Sequence, residues 1–206
     1  MKLFPGISAF LFSLVLAIDS ASGQIDFTPE VREYTAEGFT HRKVTFKNDK
    51  GIVTFAPPDR WTIRGDKERL RLSPPENNFV EAAVQTASLP APLAFDEAGL
   101  KALEQQVMRE LPVGAQSTQL MKRTENAVVI GPHLNFEFVV SYQALGYTFH
   151  RSVIFVNSPD QPLVFKFTAP KADFEKCAGE FRRSVSSWQW ISELAAPDAA
   201  PVTASK

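Results

Sequence analysis

The stretch NFEFVVSYQALGYTFHRSVIFV, residues 135–156, alternates with a period of two. Phe136, Phe138, Val140 and Tyr142 fall on one side of an extended chain, and Glu137, Val139, Ser141 and Gln143 fall on the other, because successive side chains of a strand point to opposite faces. Ala144-Leu145-Gly146 interrupts the alternation, and Tyr147 resumes an extended run to Val156. Strands joined by so short a turn pair antiparallel, since a parallel pair needs a crossover of about a dozen residues or more.

Outward from this hairpin the pattern continues. Turn residues at 157–161 lead to a strand at 163–168, and strands are expected upstream at 116–122 and 127–130, which makes a meander. Residues 96–111 read as a helix. Asp96 suits the N-cap, Phe95 is placed to staple onto Leu100, and Leu100, Leu103, Val107 and Leu111 share one face. Pro112 and Gly114 end it. Residues 172–190 read as a second helix, with Phe174, Cys177, Ala178, Phe181, Val185 and Trp188 along one stripe and Arg182 and Arg183 on the solvated side. Nearer the start, residues 39–46 and 52–55 flank the turn 48–51 as a hairpin, and residues 79–88 form a further strand. Strand pair, helix, meander and helix make an α+β chain: a largely antiparallel sheet with two main helices packed on it, an α/β/α sandwich.

GIVTFAPPDRWTI, residues 51–63, stops a strand at Pro57-Pro58 and restarts one at Trp61. Proline donates no ladder hydrogen bond, so the strand ends there. Asp59 and Arg60 read as turn residues and Trp61 as a core residue delivered by the turn.

A glycine-led strand, PPDRW, a helix ending in LP and a meander closed by a C-terminal helix together resemble the PsbP-like α/β/α sandwich superfamily. That superfamily includes the extrinsic photosystem subunit, Ran-binding import factors of the Mog type and exported bacterial proteins of the DcrB type. The resemblance spans residues 39–190 and implies a sheet with packed helices and a non-catalytic binding or accessory role. It carries over no catalytic residue, and the leader described next argues against a Ran-binding role.

Both ends differ from the middle. Lys2, an apolar run over residues 7–18 and the small residues Ala21-Ser22-Gly23 form a secretory signal pattern, so residues 1–23 are expected to be removed and the mature chain to begin at Gln24. The run falls short of the roughly 20 residues a membrane span needs; an uncleaved anchor is the other reading. Residues 24–38 are expected to be an N-terminal lead, residues 39–192 a single domain, and residues 193–206, rich in Ala and Pro, a flexible tail. The expected location is secreted or periplasmic, with no membrane span left after processing.

A net charge of -1 over 206 residues leaves no electrostatic footprint for nucleic acid. The single cysteine, Cys177, permits no internal disulfide and no thiolate metal cage. It is expected to be buried on its helical stripe. His41, His133 and His150 match no metal-binding spacing, and no metal or cofactor is expected. Ser141 lacks the G-x-S-x-G setting of a nucleophile elbow. Arg69/Arg71, Lys122-Arg123 and Arg182-Arg183 read as solvated surface.

No residue is therefore assigned a catalytic role. The expected function is an exported, non-enzymatic binding or accessory domain of the cell envelope or extracellular space, with a protein or small-molecule partner of unknown identity. The alternative is a hydrolase-like enzyme using a polar cluster of Glu137, Ser141 and His150 on the meander strands. Convergence of the three within hydrogen-bond reach discriminates the two. A small pocket lined by Tyr147, His150 and Arg151 is a further open reading.

Overall fold

The computed structural model describes residues 25–48, 51–158 and 161–192. Residues 1–23, read above as a leader, and residues 193–206, read as a tail, lie outside the described residues. In chain order the elements are β1 (Asp26–Ala36), β2 (Phe39–Asn48), β3 (Gly51–Phe55), β4 (Thr62–Gly65), β5 (Arg69–Ser73), β6 (Glu81–Thr86), α1 (Glu97–Arg109), β7 (Gln116–Glu125), β8 (Asn135–Ala144), β9 (Tyr147–Val156), β10 (Leu163–Pro170), α2 (Lys171–Ser186) and β11 (Gln189–Ser192). All strand pairs among the described residues are antiparallel. Seven strands form one sheet in the order β4-β5-β6-β10-β9-β8-β7, and four form a second in the order β1-β2-β3-β11.

The β8–β9 hairpin runs in unbroken register from Asn135 opposite Val156 to Ala144 opposite Tyr147. Its alternation sorts side chains as the sequence implies. Phe136, Phe138 and Val140, with Val153, Phe155 and Val164, pack under Leu103 and Val107 of α1. On the opposite face Ile154, Leu163, Phe165 and Phe167 pack against Phe174, Phe181 and Val185 of α2. The small sheet closes over the same side, contributing Phe27, Val44, Phe46 and Phe55. Burial of each large apolar side chain contributes about 1.5–3 kcal/mol before conformational entropy is set against it. The molecule is thus an α+β sandwich, with α1 on one face of the main sheet and α2 and the second sheet on the other.

Local chemistry sets the helix ends. Asp96 caps α1, its Oδ1 accepting from Gly99 N at 2.8 Å. α2 follows β10 directly at Pro170 with no side-chain cap, and Asp173 in its first turn accepts from Asn77 Nδ2 at 3.0 Å. The sequence pattern carries this helix to residue 190, but it stops at Ser186. Trp188 is the reason. Its ring stacks on Phe55 at 4.9 Å and meets Phe165 edge-on at 5.0 Å, and Trp190 follows in β11 opposite Val53. The chain leaves the helix to bury Trp188 between the sheets. Ser187 at the break donates through Oγ to Ser184 O at 2.6 Å and accepts from Ala56 N at 2.8 Å.

Three further differences have physical causes. Residues 127–130 form no strand; the buried Asn135 side chain takes the place of a ladder there, donating to Val128 O at 2.8 Å and accepting from Val128 N at 3.2 Å. The segment read as a lead contains β1, which pairs with β2 and buries Ile25 and Phe27 completely. β5 lies in RLRLS, where leucines alternate with arginines. β4 crosses close to β1 at Gly65, where an added Cβ would sit 2.1 Å from Phe27 O.

Candidate functional site: the open half of the seven-stranded sheet

Glu137, Ser141 and His150 all lie on the α2 face of the sheet, but they do not converge. Ser141 and His150 are register partners, and among the described residues no hydrogen bond joins them. The His150 ring instead meets Phe174 edge-on at 5.3 Å. Burial, with help from the Lys171 charge, pushes its imidazole below the ordinary value, Glu175 opposing. Glu137 stands four residues along the strand from Ser141 and is 1% exposed. Ser152 Oγ donates to its Oε1 at 2.6 Å, and Arg182 Nη2 lies 2.7 Å from the same atom. Arg182 is therefore not a freely solvated charge: half-buried, it reaches back from α2 to neutralise a carboxylate in the core. Tyr147 and Arg151 share the face opposite His150, so the three do not line one pocket.

The PPDRW turn is also accounted for. Trp61 is 3% exposed and packs near Phe167. Arg42 holds the turn from β2, donating Nη2 to Pro58 O and Nη1 to Trp61 O, each at 2.9 Å. Asp59 and Arg60 face solvent on its outside, Arg60 with the left-handed φ of 60°. A cleft of about 620 Å³ lies between this turn, Pro74-Pro75 and α2. Its charged lining is balanced: Arg60, Lys176 and Arg183 against Asp59, Glu76 and Glu180.

His41 stacks on Tyr34 at 5.3 Å and His133 meets Trp190 edge-on at 4.6 Å. Among the described residues no group of three or more His, Cys, Asp or Glu side chains is placed to hold a metal ion. Cys177 is half-buried rather than fully buried, because it sits at the margin of the α2 stripe. Burial pushes its thiol up, and Glu180 and Asp173 add to this.

The accessible polar chemistry collects elsewhere. α1 covers only the β7–β10 side of its face. Beyond Val164 that face turns polar. Arg64 stands opposite Arg71, Arg71 opposite Ala83, and Ala83 opposite Lys166, one row across four strands. The next row holds Glu81, Thr168 and Arg151. With strands about 4.8 Å apart, Arg71 and Lys166 flank Ala83 at a backbone separation of about 10 Å. Small Ala83 leaves a hollow beside Lys166.

Two of these cations are anchored. Arg151 donates Nε to Thr168 Oγ1 and Nη1 to Glu110 O, each at 2.9 Å, and its guanidinium lies 5.7 Å from the Tyr142 ring centroid. Lys166 pairs with the Glu110 carboxylate. Arg64, Arg69 and Arg71 make no ion pair among the described residues. Asp66 accepts from the Glu68 and Arg69 backbone N–H groups at 2.8 and 3.0 Å, which hold its carboxyl below the usual range, with a smaller contribution from the Arg69 and Arg71 charges.

Beside the cationic rows stands an aromatic ledge. Phe149 stacks on Tyr142 at 5.6 Å, and Phe79 lies 5.3 Å from Tyr147 and 6.3 Å from Phe149. Phe79 and Tyr147 remain 45% and 52% exposed. A cleft of about 320 Å³ joins ledge and cations, with Arg69, Glu81, Arg151 and Lys166 as its charged lining. Arg69 and Arg71 read as scattered surface in the sequence. The RLRLS alternation is the signal that places both on one face; nothing local places Lys166 beside them.

No family model and no curated protein matches the chain. Solved structures do. The solution structure of the cyanobacterial PsbP (CyanoP) from Synechocystis sp. PCC 6803 superposes at a TM-score of 0.50 and 9% identity, covering 78% of this chain and 92% of that one. A protein of unknown function, PA94 from Pseudomonas aeruginosa, is similar at a TM-score of 0.46 and 13% identity over 77% of this chain and 95% of the other. LpqN of Mycobacterium tuberculosis, involved in cell envelope biogenesis, gives a TM-score of 0.41 and 11% identity over 78% and 91%. The fold is PsbP-like, as PPDRW and the meander imply. Among the described residues no helix is long and apolar enough to cross a membrane.

Proposed function

We propose that the chain is an exported, non-enzymatic binding or accessory domain of the cell envelope or extracellular space, which takes its ligand on the open half of the seven-stranded sheet. The observation that carries this is the placement of Arg64 directly opposite Arg71, with no carboxylate ion-paired to either among the described residues. Like charges across a strand pair cost stability, and a cationic face rimmed by exposed aromatics is suited to binding an anionic partner. The leader pattern of residues 1–23 supports export. The hydrolase reading draws no support from Glu137, which is engaged by Arg182 and Ser152.

Fractionation of cells making the full chain, with N-terminal sequencing and a pull-down from the envelope fraction, tests this. A processed chain starting near Gln24, with a bound component lost in an Arg69→Glu/Arg71→Glu variant that melts like wild type, is the expected result. A full-length cytoplasmic product, or turnover of a generic ester substrate abolished by Ser141→Ala, overturns it.

A further inference from the structure

We infer that the open face is a binding site for a small organic anion with a flat aromatic body: the ring lies on the Phe79–Phe149 ledge, and Arg69 and Lys166 hold the anionic head over Ala83. This rests on the binding-module reading and names the ligand class of that site.

Three features argue for it. The cleft of about 320 Å³ is at the small end of the volumes that enclose one small organic molecule, roughly 300–1,000 Å³, and too small to seat a folded partner. Its polarity runs along the strands. Phe149 lies opposite Pro170, and Lys166 stands four residues back along β10, which is about 13 Å at about 3.3 Å per residue. Arg151 sits midway, its Nε and Nη1 engaged by Thr168 and Glu110, which fixes its guanidinium in the cleft lining. Finally, the site leaves an aromatic ring and a cation jointly unfilled: Phe79 is exposed, and Arg69 makes no ion pair among the described residues. Stacking on the ring and a charge-assisted hydrogen bond to the guanidinium are the interactions these groups offer. Glu81 faces the same cleft and opposes the head, while Glu110 holds Lys166 from outside the lining, so Glu81 is the carboxylate whose removal shifts the charge balance inside the cleft.

That balance sets the test. The full chain is titrated with 2-naphthoate, the neutral 2-naphthylmethanol and acetate, following backbone amide resonances. Naphthoate is expected to bind saturably, with shifts at Phe79, Ala83, Lys166 and Thr168, and to bind at least roughly tenfold more tightly than either comparator, as loss of a charged hydrogen bond or of a stacked ring implies. Arg69→Gln and Phe79→Ala are each expected to weaken it by roughly tenfold. Glu81→Gln is expected to strengthen it, a sign that a merely structural effect does not produce. Arg183→Gln, at the proline-lined cleft, is expected to change nothing. Absence of saturable binding, equal binding of naphthylmethanol, shifts centred on Pro57–Trp61, or weakened binding in Glu81→Gln overturns the inference. Unchanged melting of each variant shows that the site, and not the fold, was altered. If naphthoate fails while the envelope component is still lost from the Arg69/Arg71 charge-reversal variant, the ligand class falls and the binding module stands. A cytoplasmic or catalytic chain removes the module whatever naphthoate does.

Discussion

Arg182 of α2 places Nη2 2.7 Å from Oε1 of Glu137, a carboxylate 1% exposed near the start of β8. The pair fastens α2 to the main sheet at a point where the sheet is otherwise aliphatic and aromatic. A buried pair of this kind is weak evidence for stability, yet removing one partner is costly because it strands the other charge. Arg182→Met is expected to destabilise the fold by about 3–5 kcal/mol. The double variant Glu137→Gln/Arg182→Met, which keeps an acceptor for Ser152, is expected to recover most of that loss. Urea unfolding of the three proteins checks this, and a double variant no better than Arg182→Met refutes it.

Trp61 and its turn separate packing from exposure. Trp61→Ala removes a ring that is 3% exposed and is expected to cost about 3–5 kcal/mol, a large share of the roughly 5–15 kcal/mol a domain holds. Arg42→Ala frees Pro58 O and Trp61 O from the hydrogen bonds that hold the turn, for an expected cost of about 1.5–3 kcal/mol. Asp59→Ala/Arg60→Ala touches only exposed side chains and is expected to stay within about 1 kcal/mol of wild type. Thermal melts rank the three; a double variant as damaging as Arg42→Ala contradicts the ranking.

Gly65 marks where the two sheets approach. A Cβ there would lie 2.1 Å from Phe27 O and 3.0 Å from the Pro29 ring, so Gly65→Ala forces β4 and β1 apart. The expected cost is about 1–3 kcal/mol or more, as for other overpacking changes. Gly114→Ala, where added bulk meets open space but φ is 85°, provides a comparison in which only backbone strain acts. Equal melting of Gly65→Ala and wild type removes the close approach.

Acidification has a defined sign. Burial holds His133 and His150 below the ordinary value of 6.5, so the unfolded chain takes up protons that the folded chain resists. Stability is therefore fully present above pH 6.5 and declines as the pH falls below it. Asp26, Glu30 and Asp66, depressed from 3.8, 4.5 and 3.8, add to the loss only at lower pH still. The melting temperature is expected to drop between about pH 7 and about pH 5, and His150→Gln to shallow that drop. A flat or rising profile contradicts the assignment.

Wherever a contact is local, the sequence already contains it. The alternation of residues 135–143 determines which side chains face α1, because strand geometry leaves a side chain only two directions. Asp96 determines where α1 starts, because a free helix terminus needs a nearby acceptor. PPDRW determines the break before β4, because proline cannot continue a ladder. What the sequence left open depends on partners distant in the chain. α2 ends at Ser186 because Trp188 finds Phe55 and Phe165 on two different sheets, and no helical periodicity records that. Arg182 is drawn against the core because Glu137 lies across the layer from it. Arg71 and Lys166 share one surface because β6 pairs with both β5 and β10, placing Ala83 between them. That adjacency comes from closing long loops around a common apolar core, so only the tertiary structure decided where the charges of this near-neutral chain gather.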